Sequence, residues 1–206
     1  TVILAVKPQD FDRLLKELKG RILDKLVISI AAGISTEHIE KFLGKVRVIR
    51  VMPNIAARIA ESVTCICKGN FANDDDLESV KEIFNHLGTV RSINEEMMNA
   101  ATAISGSGPG YIFYFIENSA IDPDNIPEHA RHDMMRRLEK AAEVLGFNIE
   151  DAAFLAANTV NASVGLLKST KSTPEELRLQ VSSKGGTTEA GLEVLRKGGS
   201  WEEAAQ

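Results

Sequence analysis

The sequence predicts an α/β part followed by an all-helical part, with the boundary near residue 93. Two observations carry this. Before residue 93, five short apolar runs alternate with segments of helical period, the pattern of a mostly parallel sheet with helices on its faces. After it the strand-like runs stop, and capped helical segments follow one another to Gln206. The composition permits both parts. Of 206 residues, 44% are hydrophobic and 26% charged, so a real core can form in one large domain or two modest ones.

The elements follow in order. Residues 2–6 form a short, nearly all-apolar run that reads as a buried strand. Phe11, Leu14, Leu15 and Leu18 then recur at helical spacing, with Gly20 as the stop. A second strand is expected over 26–30, and Ser35 or Thr36 caps a short helix carrying Ile39, Phe42 and Leu43. Strands over 46–51 and 63–67 follow. Asn73 caps a helix whose face holds Leu77, Val80, Phe84 and Leu87, and residues 89–93 form a fifth strand. Asn94 opens a helix expected to run to Ile104. A turn from Ser105 to Pro109 leads into the next helix near Gly110, where proline suits a first turn. Further helices are expected over 127–145, 149–168, 174–181 and 187–196. Thr173-Pro174-Glu175-Glu176 has the form of a capping box, and Ser200 with Glu203 starts a last helix.

Charge and composition exclude several functions. The net charge is −5 and no basic stripe is present, which argues against nucleic acid. No apolar run approaches the ~20 residues of a membrane span. Nothing at the start reads as a signal peptide, so a cytoplasmic location is expected. Cys65 and Cys67 share one face of a strand and are expected to be reduced and packed. His129 and His132 stand one helical turn apart, but the segment is densely charged and lacks further ligands. It reads as a solvated face, and no metal is expected.

Three loops interrupt apolar elements with chemistry. Val6-Lys7-Pro8 lies at the carboxyl end of the first strand, where open α/β sheets bind ligands, although a solvated lysine would look the same. Ser105-Gly106-Ser107-Gly108-Pro109 offers backbone amides at a helix start, or simply a close helix crossing. It is not a P-loop, because no Gly-Lys-Ser/Thr follows. The third loop runs from Ser182 to Thr188. Two hydroxyl pairs flank two glycines at a helix start, more than an ordinary cap needs, and a small carboxylate would be held well there.

Five ordered motifs resemble one family. They are Ala5-Val6-Lys7-Pro8-Gln9, Ile30 to Ser35, Arg50-Val51-Met52-Pro53-Asn54, Ala103 to Pro109, and Val181 to Thr188. Together they are similar to the pyrroline-5-carboxylate reductases. The pair formed by Ser105-Gly106-Ser107-Gly108-Pro109 and Ser182-Ser183-Lys184-Gly185-Gly186-Thr187-Thr188 is the most specific. The resemblance implies a partial Rossmann-like dinucleotide-binding domain over 1–93. Residues 94–206 become a helical substrate-binding and dimerisation domain. It implies an oxidoreductase that turns 1-pyrroline-5-carboxylate into L-proline with NADPH or NADH, as a homodimer or larger homo-oligomer. Val6, Lys7, Pro8, Ala32 and Asn54 match cofactor positions. Val181, Ser183, Gly186, Thr187 and Thr188 match the substrate loop, and Thr188 is the expected catalytic residue.

The chain also departs from the family pattern. It starts after the strand and glycine loop that cradle the pyrophosphate, a difference of roughly 60 residues. Asn54-Ile55-Ala56 stands where Asn-Thr-Pro is usual. Extra sequence interrupts a family helix over 118–139, and the final helix stops early. Two other readings are a related imine or hydroxyacid dehydrogenase and a non-catalytic oligomerising fragment without the cofactor loop.

Overall fold

The computed structural model describes all 206 residues, Thr1–Gln206. Five strands form one sheet in chain order: β1 Val2–Leu4, β2 Leu26–Ser29, β3 Arg47–Met52, β4 Ser62–Lys68 and β5 Gly88–Ser92. β1, β2 and β3 are parallel, with Leu4 opposite Ser29 and Val27 opposite Val48. β4 departs from the parallel pattern. It runs antiparallel to β3, with Arg50 opposite Cys67. The connection from Met52 to Ser62 holds only a 3₁₀ turn, Ile55–Ile59. A parallel return needs a crossover of about a dozen residues or more.

The sheet is covered on both faces, which is why its strands read as unbroken apolar runs. Successive strand residues point to opposite sides. Val27 and Val48 therefore join Leu4, Phe11, Leu15, Ile39 and Leu43 in one core, with helices α1 Phe11–Leu18 and α2 Thr36–Leu43. Ile28, Ile49 and Ile66 join Val80 and Phe84 in the other, with α3 Asp74–Asn85. Local signals set the helix ends. Ser35 accepts from the His38 amide at 3.1 Å and Gly20 takes φ +78° past the end of α1. Asn73 and Asp76 cap α3 reciprocally.

Contacts divide the chain into two compact units. One comprises Thr1–Pro53 and Thr64–Asn99, the other Asn54–Val63 and Ala100–Gln206. The helix expected from Asn94 to Ile104 is broken into a 3₁₀ turn Glu95–Met97, a single turn α4 Met98–Ala101 and a π turn Thr102–Gly106. The wider turn is closed by the Ser107 amide on the Thr102 carbonyl at 2.8 Å. The Ser105 hydroxyl bonds the Ala101 carbonyl at 2.9 Å.

The second unit is built around α5 Gly108–Glu117, whose Tyr111, Ile112, Phe113 and Ile116 are buried. α6 Glu128–Val144 packs along α7 Ile149–Thr170, while α5 packs against α7, α8 Pro174–Val181 and α9 Thr187–Arg196. Trp201 of α10 Trp201–Ala205 meets Tyr111 and Phe115 edge-on, at 6.1 and 6.3 Å between ring centres. No helix is long and apolar enough to cross a membrane.

Candidate functional site

In the sheet unit, the five-residue candidate set contributes four members. β1 and β2 are paired and parallel, so their carboxyl ends lie side by side, joined by the Ile30 amide on the Leu4 carbonyl at 3.2 Å. The loops that leave those ends carry Val6, Lys7 and Pro8 from one strand and Ala32 from the other. Val6, Lys7 and Pro8 are exposed and Ala32 is half-buried. Pro8 opens the 3₁₀ turn Pro8–Asp10, which fixes how the chain leaves the edge. Ala31, Ala32 and Gly33 leave the backbone there with almost no side-chain cover, which fits the approach of a flat ring or a ribose.

Asn54 lies in the helical unit and is 92% buried. Its side chain is largely committed. Oδ1 accepts from the amides of Ala56 at 3.1 Å and Val63 at 3.4 Å, and Nδ2 donates to the Ser105 carbonyl at 3.1 Å. The Asn54 amide in turn donates to Ser62 Oγ at 3.0 Å. One Nδ2 hydrogen remains beyond this set.

The substrate-loop candidates lie together between α8 and α9. Val181 ends α8, its Cγ2 beside Gly110 of α5. Ser183 is exposed, and its carbonyl accepts from the Gly186 amide at 2.9 Å. A side chain on Gly186 would meet Ser183 Oγ, which would have to turn away, and stand 3.0 Å from that carbonyl, so the turn is tight for anything larger than glycine. Gly186 then caps α9, and no side chain bonds the first amides of that helix. This differs from α2, α3, α7, α8 and α10, each of which has a side-chain cap. The one anion near the loop is its own: Glu189 Oε2 accepts from the Gly185 amide at 2.5 Å.

The two threonines differ. Thr187 is exposed, whereas Thr188 is 6% exposed and turned inward. Thr188 Oγ1 donates to Ser107 Oγ at 3.0 Å, and Thr187 Oγ1 lies 3.2 Å from the same atom. Ser107 sits just before α5, so the starts of α5 and α9 meet through three hydroxyls. Tyr111, one turn along α5, donates to the Ala204 carbonyl at 2.9 Å. Burial pushes its phenol up to about 12, partly offset by a hydrogen bond from Ser107.

Other candidates stand apart from these sites. His129 and His132 are exposed on α6, with His132 Nε2 3.9 Å from Glu128. Cys65 and Cys67 are free and buried.

A family model described as "Pyrroline-5-carboxylate reductase dimerisation" matches residues 95–121 and 132–205. Pyrroline-5-carboxylate reductase 2 of Bacillus subtilis (strain 168) is 35% identical over 191 residues, covering 92% of this chain and 62% of the relative. A pyrroline-5-carboxylate reductase structure from Coxiella burnetii is 33% identical, with TM-score 0.54, covering 96% of this chain and 67% of that one. The chain belongs to the pyrroline-5-carboxylate reductase family. A third member, the Plasmodium falciparum structure with NADP bound, is 29% identical with TM-score 0.55, covering 95% and 72%. The chain thus spans less than two thirds of the length of the Bacillus relative.

Within the family frame, residues 122–131 lie between the two matched stretches. They fall where α5 has ended at Glu117 and α6 is beginning, inside the 118–139 stretch that reads as extra sequence. Reading the sequence for single residues did not pick out Ser107, Tyr111 or Arg178. Ser107 was visible only as part of a glycine-rich motif. No local pattern marks Tyr111 or Arg178, whose partners are 93 and 61 positions away.

Proposed function

We propose that this protein reduces 1-pyrroline-5-carboxylate to L-proline with NADPH or NADH. One observation carries the reading: in a chain of this family, the uncapped start of α9 stands beside the buried Thr188 hydroxyl. Residues 1–93 serve as a partial Rossmann-like dinucleotide-binding domain, and 94–206 as the substrate-binding and dimerisation domain.

Bound NAD(P)H supplies the hydride that C5 of the cyclic imine receives. The residues of this chain do the rest. The first amides of α9, at the positive end of the helix, bind the substrate carboxylate. Ser183 and Gly186 shape the loop around it, Val181 forms its apolar wall and Thr187 adds a second hydroxyl at the rim. Thr188 Oγ1 meets the ring nitrogen. A neutral hydroxyl is a poor acid at pH 7, so Thr188 hydrogen-bonds the ring nitrogen rather than protonating it outright. Val6, Lys7, Pro8 and Ala32 line the cofactor, with the Lys7 ammonium available to a ribose or phosphate. Asn54, with one Nδ2 hydrogen to spare, is a further cofactor contact. The NADP in the Plasmodium falciparum relative supports the choice of cofactor.

The functional particle is a homodimer or a larger homo-oligomer formed through the helical unit. The description of the matching family model supports this. Light scattering on the purified protein should return a multiple of the chain mass, and a monomer would refute the assembly.

The deciding assay follows NADPH and NADH oxidation at saturating 1-pyrroline-5-carboxylate on the full-length protein. Turnover is expected with at least one cofactor, and a folded protein inactive with both overturns the reading. Thr188→Ala should lower turnover about 10–1000-fold, the scale of losing one oriented polar group.

A further inference from the structure

Ser107 gives the Thr188 hydroxyl a direction. A serine hydroxyl has one hydrogen and two lone pairs. One lone pair accepts from Thr188 Oγ1 at 3.0 Å, and Thr187 Oγ1 lies 3.2 Å from the same oxygen. Tyr111 gives its own hydrogen to the Ala204 carbonyl at 2.9 Å. A backbone carbonyl can only accept, so Tyr111 is the donor in that bond. In the bond between the buried hydroxyls, Thr188 is the donor and Ser107 the acceptor. Ser107, Tyr111 and Thr188 are all at least 94% buried, so water does not compete for these bonds.

We propose that Ser107 is a positioning residue that turns the Thr188 hydroxyl into a hydrogen-bond acceptor toward the substrate nitrogen. The inference rests on the reductase reading above. With its hydrogen held by Ser107, Thr188 Oγ1 presents only lone pairs to the ligand. A lone pair is useless to the neutral imine nitrogen, which is itself an acceptor. It stabilises the protonated iminium, whose N–H can donate, and the iminium is the better acceptor of hydride at C5. The site therefore selects the reactive protonation state without needing an acidic side chain against the ring. The titratable groups on the surrounding elements fit this. Tyr111 on α5, with its phenol raised to about 12, keeps its proton throughout the working range. On α9, Glu189 is engaged with the Gly185 amide. On α8, Arg178 is engaged with Glu117 of α5. Lys184, in the loop itself, is exposed.

The test is the pH dependence of kcat in the full-length enzyme for the wild type, Ser107→Ala, Thr188→Ala and the double variant. Ser107→Cys, which fills the same space with a poor acceptor, guards against a packing defect. Activity should fall at high pH as the bound iminium loses its proton. Both Ser107 variants should bring that alkaline limb down by roughly 0.5–1 pH unit, the scale of one misdirected hydrogen bond. The double variant should be no slower than Thr188→Ala alone, because Ser107 acts only through Thr188. An active wild type whose alkaline limb does not move in either Ser107 variant overturns this inference alone. So does a double variant whose losses multiply. A wild type that does not reduce 1-pyrroline-5-carboxylate overturns the reductase reading and this inference with it.

Discussion

Arg178 grips Glu117 with two hydrogen bonds, Nε to Oε2 at 2.6 Å and Nη2 to Oε1 at 3.2 Å. The pair ties α8 to the last residue of α5, and α8 runs directly into the loop that carries Ser183 and Gly186. The Arg178 side chain is only 10% exposed. The hydrogen bond to Glu117 raises the guanidinium pKa, against the opposing effect of burial.

Breaking that pair leaves a partly exposed carboxylate without its partner and opens space beside the covered Arg178 position. Arg178→Ala should lose about 1–2 kcal/mol of unfolding free energy. Arg178→Lys should lose less, since it keeps the charge but not the two-pronged geometry. Urea unfolding monitored through Trp201 measures both. A loss below about 0.5 kcal/mol for Arg178→Ala would mean that the pair does not hold α8 in place.

Gly186 is where the loop is tightest against a side chain. A methyl group there meets Ser183 Oγ and crowds the Ser183 carbonyl. Gly186→Ala should reduce kcat/KM about 10–100-fold, chiefly through KM, because the loop shifts away from the carboxylate site. Thermal stability should drop little, since the loop is exposed. Unchanged KM would remove this turn from substrate binding.

Cys67 should be chemically silent in the native protein. Burial first, then the nearby Glu95 charge, pushes its thiol up to about 12. At pH 8 the thiolate fraction is then only about one in ten thousand. A thiol reagent should label Cys67 only after denaturant is added. Rapid labelling under native conditions would contradict the packing of β4.

The Lys140–Glu202 pair joins α6 to α10 at 2.9 Å. The hydrogen bond from Lys140 holds the Glu202 carboxyl below its ordinary pKa, with burial opposing. The stabilisation is therefore fully present above the unfolded carboxylate pKa. It is lost as pH falls through the lowered folded value. Because Lys140 is 70% exposed, the pair contributes at most about 1 kcal/mol. Glu202→Gln should lower stability at neutral pH and converge with the wild type in acid. Parallel stability curves across that range would exclude the pair as a source of acid sensitivity.

Much of this molecule was legible from local sequence. Ser35, Asn73, Thr173 and Ser200 cap the helices they seemed to cap, and the last three do so through reciprocal boxes. The helices over 174–181 and 187–196 lie where their periodicity put them. These signals act over three or four residues, so neighbouring side chains decide them. Less legible was the segment from Asn94 to Ile104. Its residues suit a continuous helix, but the Ser107 amide reaches back to Thr102 and widens the last turn.

The sequence by itself determined the alternation of strands and helices, their apolar faces, and a loop of hydroxyls and glycines at the start of a helix. Only the tertiary structure decided that Thr188 would meet Ser107 across 81 positions, and that Tyr111 would reach the Ala204 carbonyl across 93. Serine, threonine and tyrosine are common residues with no pattern that names their partners. Helix packing brings them together, and burial then makes each hydrogen bond count.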